Sequence, residues 1–106
     1  MSWAPTTATN NSQEIDFSWV KKNMETEKFI LVDCRERYEW DTGYIEGAIL
    51  CPLSEWNMES KNIPNNKPVV VYCRSGRRSR IAANDLLEKG YEAASMIGGI
   101  LGFKKE

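Results

Sequence analysis

The chain has 106 residues, 42% of them hydrophobic and 27% charged, which suits one globular domain with a single core. Fourteen basic and fifteen acidic residues leave a formal net charge of -1, so no basic footprint points to nucleic acid as a partner. There is no histidine and no Cys-x-x-Cys pair among the three cysteines, Cys34, Cys51 and Cys73, which excludes histidine-based catalysis, a disulfide framework and a zinc site.

Residues 1–12 are rich in Thr, Asn, Ser and Ala without periodicity and read as a flexible tail ahead of a single domain at 13–106. The segment lacks the basic start and apolar middle of a secretory signal, and no apolar run nears the roughly 20 residues of a membrane span. A cytoplasmic, thiol-reducing setting is expected. Glu14–Ile15 opens the domain as a short strand, and Asp16 caps a helix running to about Asn23. "FILV" at 29–32 is a strand apolar on both faces, and "RERYEWDTG" a short polar helix closed by Gly43. "AIL" at 48–50 is a third strand stopped by Pro52, followed by a short helix around 54–58. "VVVY" at 69–72 is the fourth strand. Ser79–Lys89 is an amphipathic helix with Ala82, Ala83, Leu86 and Leu87 on one face, ended by Gly90. "ASMI" at 94–97 is the fifth strand, and "GGILGFKKE" begins a last helix. This alternation predicts an α/β fold, a five-stranded, mostly parallel sheet with helices on both faces.

The chemistry is concentrated in "CRSGRRS", Cys73 to Ser79, between the fourth strand and the following helix. Ligands of open parallel sheets bind beyond the strands' carboxyl ends. At that place loop N–H groups converge, and the helix adds about half a positive charge. Arg74, Arg77 and Arg78 add full charges, and Gly76 permits a tight turn. Such a field lowers the pKa of a thiol and attracts a small anion.

Two stretches carry a resemblance to the single-domain rhodanese-like sulfurtransferases. "VDCRERYEWDTGYIEGAILCPL" at 32–53 resembles that family's Asp-x-Arg and Gly-x-Ile-x-Gly-Ala signature, and "VVVYCRSGRRS" resembles its Cys-Arg-x-Gly-x-Arg-Ser loop. "GGILGF" at 98–103 is similar to its closing Gly-Gly segment. Tyr44 stands where the family usually has histidine, Glu46 where proline is common, and Phe103 where tryptophan is frequent. The resemblance implies a rhodanese-like sheet and a Cys73 persulfide that carries sulfur from a thiosulfate-like donor to a thiophilic acceptor. That acceptor is cyanide or a thiol, including that of a thioredoxin-like dithiol protein; no cofactor, metal, nucleic acid or membrane is called for.

The resemblance also reaches phosphatases and arsenate reductases of the same fold, whose loops use Cys-x5-Arg. Here Cys73 to Arg78 is Cys-x4-Arg, and Ser79 stands in the phosphatase arginine's place. The shorter loop favours sulfur. Further alternatives are a persulfide relay and a regulatory module, although regulatory members commonly lack the cysteine. In the role set that follows, Cys73 is the nucleophile and Arg74 and Arg78 bind the anionic donor. Ser75, Gly76, Arg77 and Ser79 supply N–H groups, and Arg77 is equally well read as a solvated charge. Asp33 and Arg35 match the Asp-x-Arg positions and read best as a supporting ion pair. Cys34 is a core thiol on the simpler reading. On the sharper one it is a redox partner of Cys73, as in cell-cycle phosphatases of this fold.

Overall fold

The computed structural model describes residues 3–9 and 12–105. Within them six strands form one sheet: β1 (Thr7–Thr9), β2 (Ser12–Asp16), β3 (Ile30–Asp33), β4 (Ile49–Leu50), β5 (Val69–Tyr72) and β6 (Ala93–Ile97). Their spatial order is β1-β2-β6-β5-β3-β4. The five strands from β2 to β6 pair in parallel, as the alternating sequence pattern predicts, and β1 adds an antiparallel sixth.

β1 corrects the expectation of a flexible tail over residues 1–12. Thr7 and Ala8 pair with Glu14 and Gln13, so β2 is not left with an open edge of unpaired N–H and C=O groups. Trp3 also packs, standing edge-on to Trp19 with ring centroids 6.2 Å apart. Met1, Ser2, Asn10 and Asn11, which fall under the same expectation, lie outside the described residues, as does Glu106.

The strand "VVVY" is apolar throughout because both of its faces are covered. Val69 and Val71 enter a cluster with Ala82, Ala83 and Leu86 of helix α3 (Arg77–Glu88), together with Trp56 of α2 (Trp56–Glu59). Val70 and Tyr72 enter the opposite cluster with Val20 of α1 (Phe17–Lys22) and Ile100 of α4 (Gly99–Lys105). Asp16 caps α1 as expected, its Oδ1 accepting the Ser18 N–H at 2.9 Å. The polar helix over "RERYEWDTG" is a 3₁₀ helix, Arg37–Thr42, closed at Gly43.

One boundary differs in a way that matters. α3 starts at Arg77, two residues earlier than the amphipathic pattern suggests, because Gly76 adopts φ +111° and turns the chain directly into the helix. Arg77 and Arg78 therefore belong to the first turn, and Ser79 is the third helical residue. Among the described residues no helix is long and apolar enough to cross a membrane.

Candidate active site

Cys73 directly follows β5 and is 1% exposed. Its sulfur accepts the Gly76 N–H at 3.0 Å and lies 3.5 Å from the Ser79 hydroxyl. The Cys34 thiol and the Ser79 backbone N–H lie close enough to favour charge on it. Register explains the Cys34 contact. Asp33 pairs with Tyr72 across β3 and β5, and the Cys34 N–H donates to Tyr72 O at 3.0 Å, so the next residues, Cys34 and Cys73, are brought level.

These donors set the ionisation. The Cys34 S–H, then the Ser79 hydroxyl and N–H and the Gly76 N–H, hold the Cys73 thiol well below its ordinary range and override the opposing effect of burial. Cys34 moves the other way, pushed up by the Cys73 sulfur beside it, by burial and by Asp33. A shared proton on Cys34 and a thiolate on Cys73 describe the pair. Cys51, at the end of β4, is buried too, and burial pushes its thiol up to about 11.

The loop's arginines separate into two kinds. Arg74 and Arg77 are exposed. Arg78 is half-buried and makes a two-pronged ion pair with Glu39, Nη1 to Oε2 at 2.7 Å and Nη2 to Oε1 at 2.9 Å. The sequence places Arg78 on the donor anion; the structure places a carboxylate on its guanidinium. Glu39 is held below the usual carboxylate range by this contact, and its Oε2 also accepts the Glu36 N–H at 2.7 Å. Of the four residues expected to offer N–H groups, Gly76 and Ser79 reach the sulfur. Ser75 is exposed at the loop's rim.

Asp33 and Arg35 form the supporting pair that the sequence favours. Asp33 is fully buried and accepts from Arg35 Nε at 3.0 and 3.1 Å, from the Arg35 N–H at 2.8 Å and from Trp40 Nε1 at 2.7 Å. Arg35 Nη2 then donates to Gly43 O at 2.8 Å. The pair thus anchors Trp40 within the 3₁₀ helix that delivers Glu39, and Gly43 at its close. Tyr44, in the family's histidine position, stacks on Trp40 with centroids 3.9 Å apart and rings 9° from parallel.

Two contributors escape the sequence reading. α4 clasps the loop from behind: the Ile100 N–H donates to Cys73 O at 2.9 Å and the Leu101 N–H to Arg74 O at 3.2 Å. That approach needs Gly99, whose missing Cβ would lie 2.4 Å from Arg74 O and 2.5 Å from Cys73 O. The Gly98-Gly99 pair is the signal that could have been read as a close backbone approach. Glu39 carries no such signal, being one of three acids within "DCRERYE". A cleft of about 340 Å³ opens beside the loop, lined by Arg35, Glu39, Arg74, Ile100, Leu101 and Lys104. Among the described residues no group of three or more His, Cys, Asp or Glu is placed to hold a metal ion.

A parallel α/β sheet with an acidic thiol cradled at a strand-to-helix junction defines a cysteine-loop α/β protein. Within that class the chain belongs to the Rhodanese-like domain family, whose pattern it matches over residues 16–106. It is 33% identical over 90 residues to the tRNA uridine(34) hydroxylase of Bacillus cereus, an alignment covering 78% of this chain and 28% of that protein. The chain thus spans less than a third of the curated relatives it matches. A rhodanese-related protein from Thermoplasma volcanium superposes with a TM-score of 0.81 at 27% identity, covering 87% of this chain and 90% of that one. The reduced CoADR-RHD structure of Bacillus anthracis gives 0.77 at 31% identity over 82% of this chain and 15% of that one.

Proposed function

We propose that this domain is a sulfurtransferase that moves a sulfane sulfur from thiosulfate or a similar donor to a thiophilic acceptor through a Cys73 persulfide. The observation that carries the reading is the sulfur's own surroundings. Cys73 is held as a thiolate by Cys34, Gly76 and Ser79, so it can act at neutral pH without a general base. The thiolate attacks the outer sulfur of thiosulfate, the S–S bond breaks, and sulfite departs with the bonding pair. Cys73 then carries S–S⁻. Cyanide or an acceptor thiolate attacks the outer sulfur and regenerates the Cys73 thiolate, so charge balances at both steps.

Arg74 and Arg77, exposed at the rim, draw the anionic donor in, and Lys104 adds a third cation beside the cleft. Gly76 and Ser79 N–H groups stabilise charge on sulfur. Arg78 acts with Glu39 as a unit, and Asp33 and Arg35 support that unit. Cys34 serves as the thiol that favours charge on Cys73 and resolves its oxidised form. The loop length supports sulfur over phosphate: where a phosphatase needs a guanidinium, Ser79 turns a small hydroxyl toward the thiol.

The relatives' name raises a second reading, action on a tRNA uridine. The formal net charge of -1 favours the smaller donor and acceptor. Mass spectrometry of the intact protein after thiosulfate decides the matter. One added sulfur, absent from Cys73→Ser and removed by cyanide or a dithiol, is the expected result. No added sulfur, or sulfur retained in Cys73→Ser, overturns it.

A further inference from the structure

Ser95 is a fully buried serine in a strand whose other residues, Ala93, Ala94, Met96 and Ile97, are apolar. It pairs in register with Val71, two residues before Cys73, and so lies on the α3 side of the sheet beneath the helix's first turn. Its hydroxyl is 2.7 Å from the Ser79 hydroxyl, which is also fully buried. Ser79 Oγ in turn is 3.5 Å from Cys73 Sγ and 3.2 Å from Gly76 O. Two hydroxyls and one sulfur therefore stand in a line from β6 to the nucleophile.

The direction of that line follows from counting protons. Each hydroxyl has one to donate. Among the described residues Ser79 is the hydrogen-bond partner of Ser95, so the Ser95 proton is satisfied when it points at Ser79. The Ser79 proton is then directed outward, to the thiolate or to Gly76 O. The opposite order, Ser79 donating to Ser95, leaves the Ser95 proton buried without an acceptor, which costs about 1–3 kcal/mol. Donation into the Ser79 oxygen also polarises its own O–H and strengthens the bond that it makes.

We infer that Ser95 is a positioning residue for the nucleophile, orienting the Ser79 hydroxyl onto the Cys73 thiolate from two side chains away. The inference rests on the proposal that Cys73 acts as a thiolate, and adds the reason for a buried serine where alanine would fill the space. The titratable and charged groups facing Cys73 are Cys34, with Asp33 beside it, from the end of β3, and Arg78 from α3. β6 offers no titratable side chain, and α4 approaches through backbone N–H groups. Ser95 is thus the contribution of β6 to the ionisation of the site.

The test follows thiolate absorbance in the ultraviolet as a function of pH, with Cys73→Ser subtracted, and needs no sulfur donor. Ser95→Ala should move the Cys73 midpoint up by about half a unit, roughly a threefold fall in the thiolate-to-thiol ratio at a fixed pH below it. Ser79→Ala should move it further, and adding Ser95→Ala to Ser79→Ala should change nothing more, since Ser95 acts through that hydroxyl. Thermal melts accompany each variant. Ser95→Val, β-branched and suited to a strand, carries the same test if the alanine variant does not fold. An unchanged midpoint in a folded Ser95 variant overturns the inference, and so does a shift that persists without Ser79. A wild-type Cys73 that titrates like a free thiol would overturn the reading of the site itself, which keeps the two failures apart.

Discussion

The Arg78 guanidinium and the Glu39 carboxylate meet in parallel, with both prongs at hydrogen-bond distance, 2.7 and 2.9 Å. The carboxylate side chain is 14% exposed and the guanidinium 34%, so the pair sits half in solvent at the mouth of the cysteine loop. Arg78 also feels the Cys73 sulfur, and its charge is divided between carboxylate and thiolate.

That division predicts unequal arginines. Removing Arg78 takes away a cation near the sulfur and leaves Glu39 as an unmatched anion in the same place. Hydrogen bonds to charged groups contribute about 1.5–3 kcal/mol, so Arg78→Ala should slow thiosulfate turnover by roughly tenfold or more. Arg77→Ala, at an exposed position, should change it about twofold or less. Adding Glu39→Gln to Arg78→Ala should recover part of the stability lost, as read by urea melts. Equal losses in the two arginine variants, with no recovery from Glu39→Gln, would show that the loop works as a diffuse positive field.

The pH dependence has a definite sign. The folded protein holds the Cys73 pKa below the unfolded value of about 8.5, so its thiolate contributes stability that is fully present above that value. The contribution is lost as pH falls through the depressed folded pKa. Cys34 is raised, so it stays protonated through this window and does not offset the effect. The stability difference between wild type and Cys73→Ser should therefore widen from acid pH toward about 8.5, and the rate of persulfide formation should be flat across neutral pH. A difference that stays constant with pH would mean that Cys73 titrates alike in both states.

Gly99 carries a steric prediction. At φ +58° a side chain is already disfavoured, and a Cβ there would sit about 2.4 Å from the Arg74 carbonyl oxygen, which is backbone and cannot swing aside. Gly99→Ala should push α4 off the loop, loosen the Ile100-to-Cys73 and Leu101-to-Arg74 bonds and cost on the order of 2–4 kcal/mol. Gly90→Ala, also at positive φ but with open space around its would-be Cβ, should cost about 1 kcal/mol. Denaturant midpoints for the two variants give the comparison. Similar costs at both positions would remove the steric argument.

The strands were legible because burial on both faces leaves apolar runs such as "VVVY", and the loop because cysteine, glycine and arginines stand together at one junction. What the sequence withheld depends on pairing across distance. Glu39 is 39 residues from Arg78, and nothing local says which of the acids near Arg35 meets it. Ser95 reads as a small core residue until register sets it beneath Ser79. β1 escapes the sequence reading because a Thr- and Asn-rich stretch without apolar alternation looks like tail, and its pairing with β2 rests on backbone groups.

Cys34 offers the last test. Its thiol acts on the Cys73 sulfur to favour the charged form, both side chains are buried in one cluster, and their strands run parallel as hydrogen-bonded neighbours. Adjacent strands lie about 4.8 Å apart, within the range of Cα separations that disulfides span. Peroxide takes two electrons from the Cys73 thiolate and leaves it as a sulfenic acid with loss of hydroxide. Cys34 then no longer faces a neighbouring negative charge, so the largest cause of its raised pKa disappears. Its sulfur attacks Cys73, hydroxide leaves from the sulfenic acid and takes up the Cys34 proton as water, and a Cys34–Cys73 disulfide forms. Peptide mapping of the oxidised, non-reduced protein should find that bridge, and a dithiol should restore both thiols and full sulfur transfer. Cys34→Ser should instead drive Cys73 on to sulfinic acid at the same peroxide dose, with activity that a dithiol does not restore. Sulfinic acid on Cys73 beside a free Cys34 in the wild-type protein would leave Cys34 with a single role, the thiol that keeps its neighbour ionised.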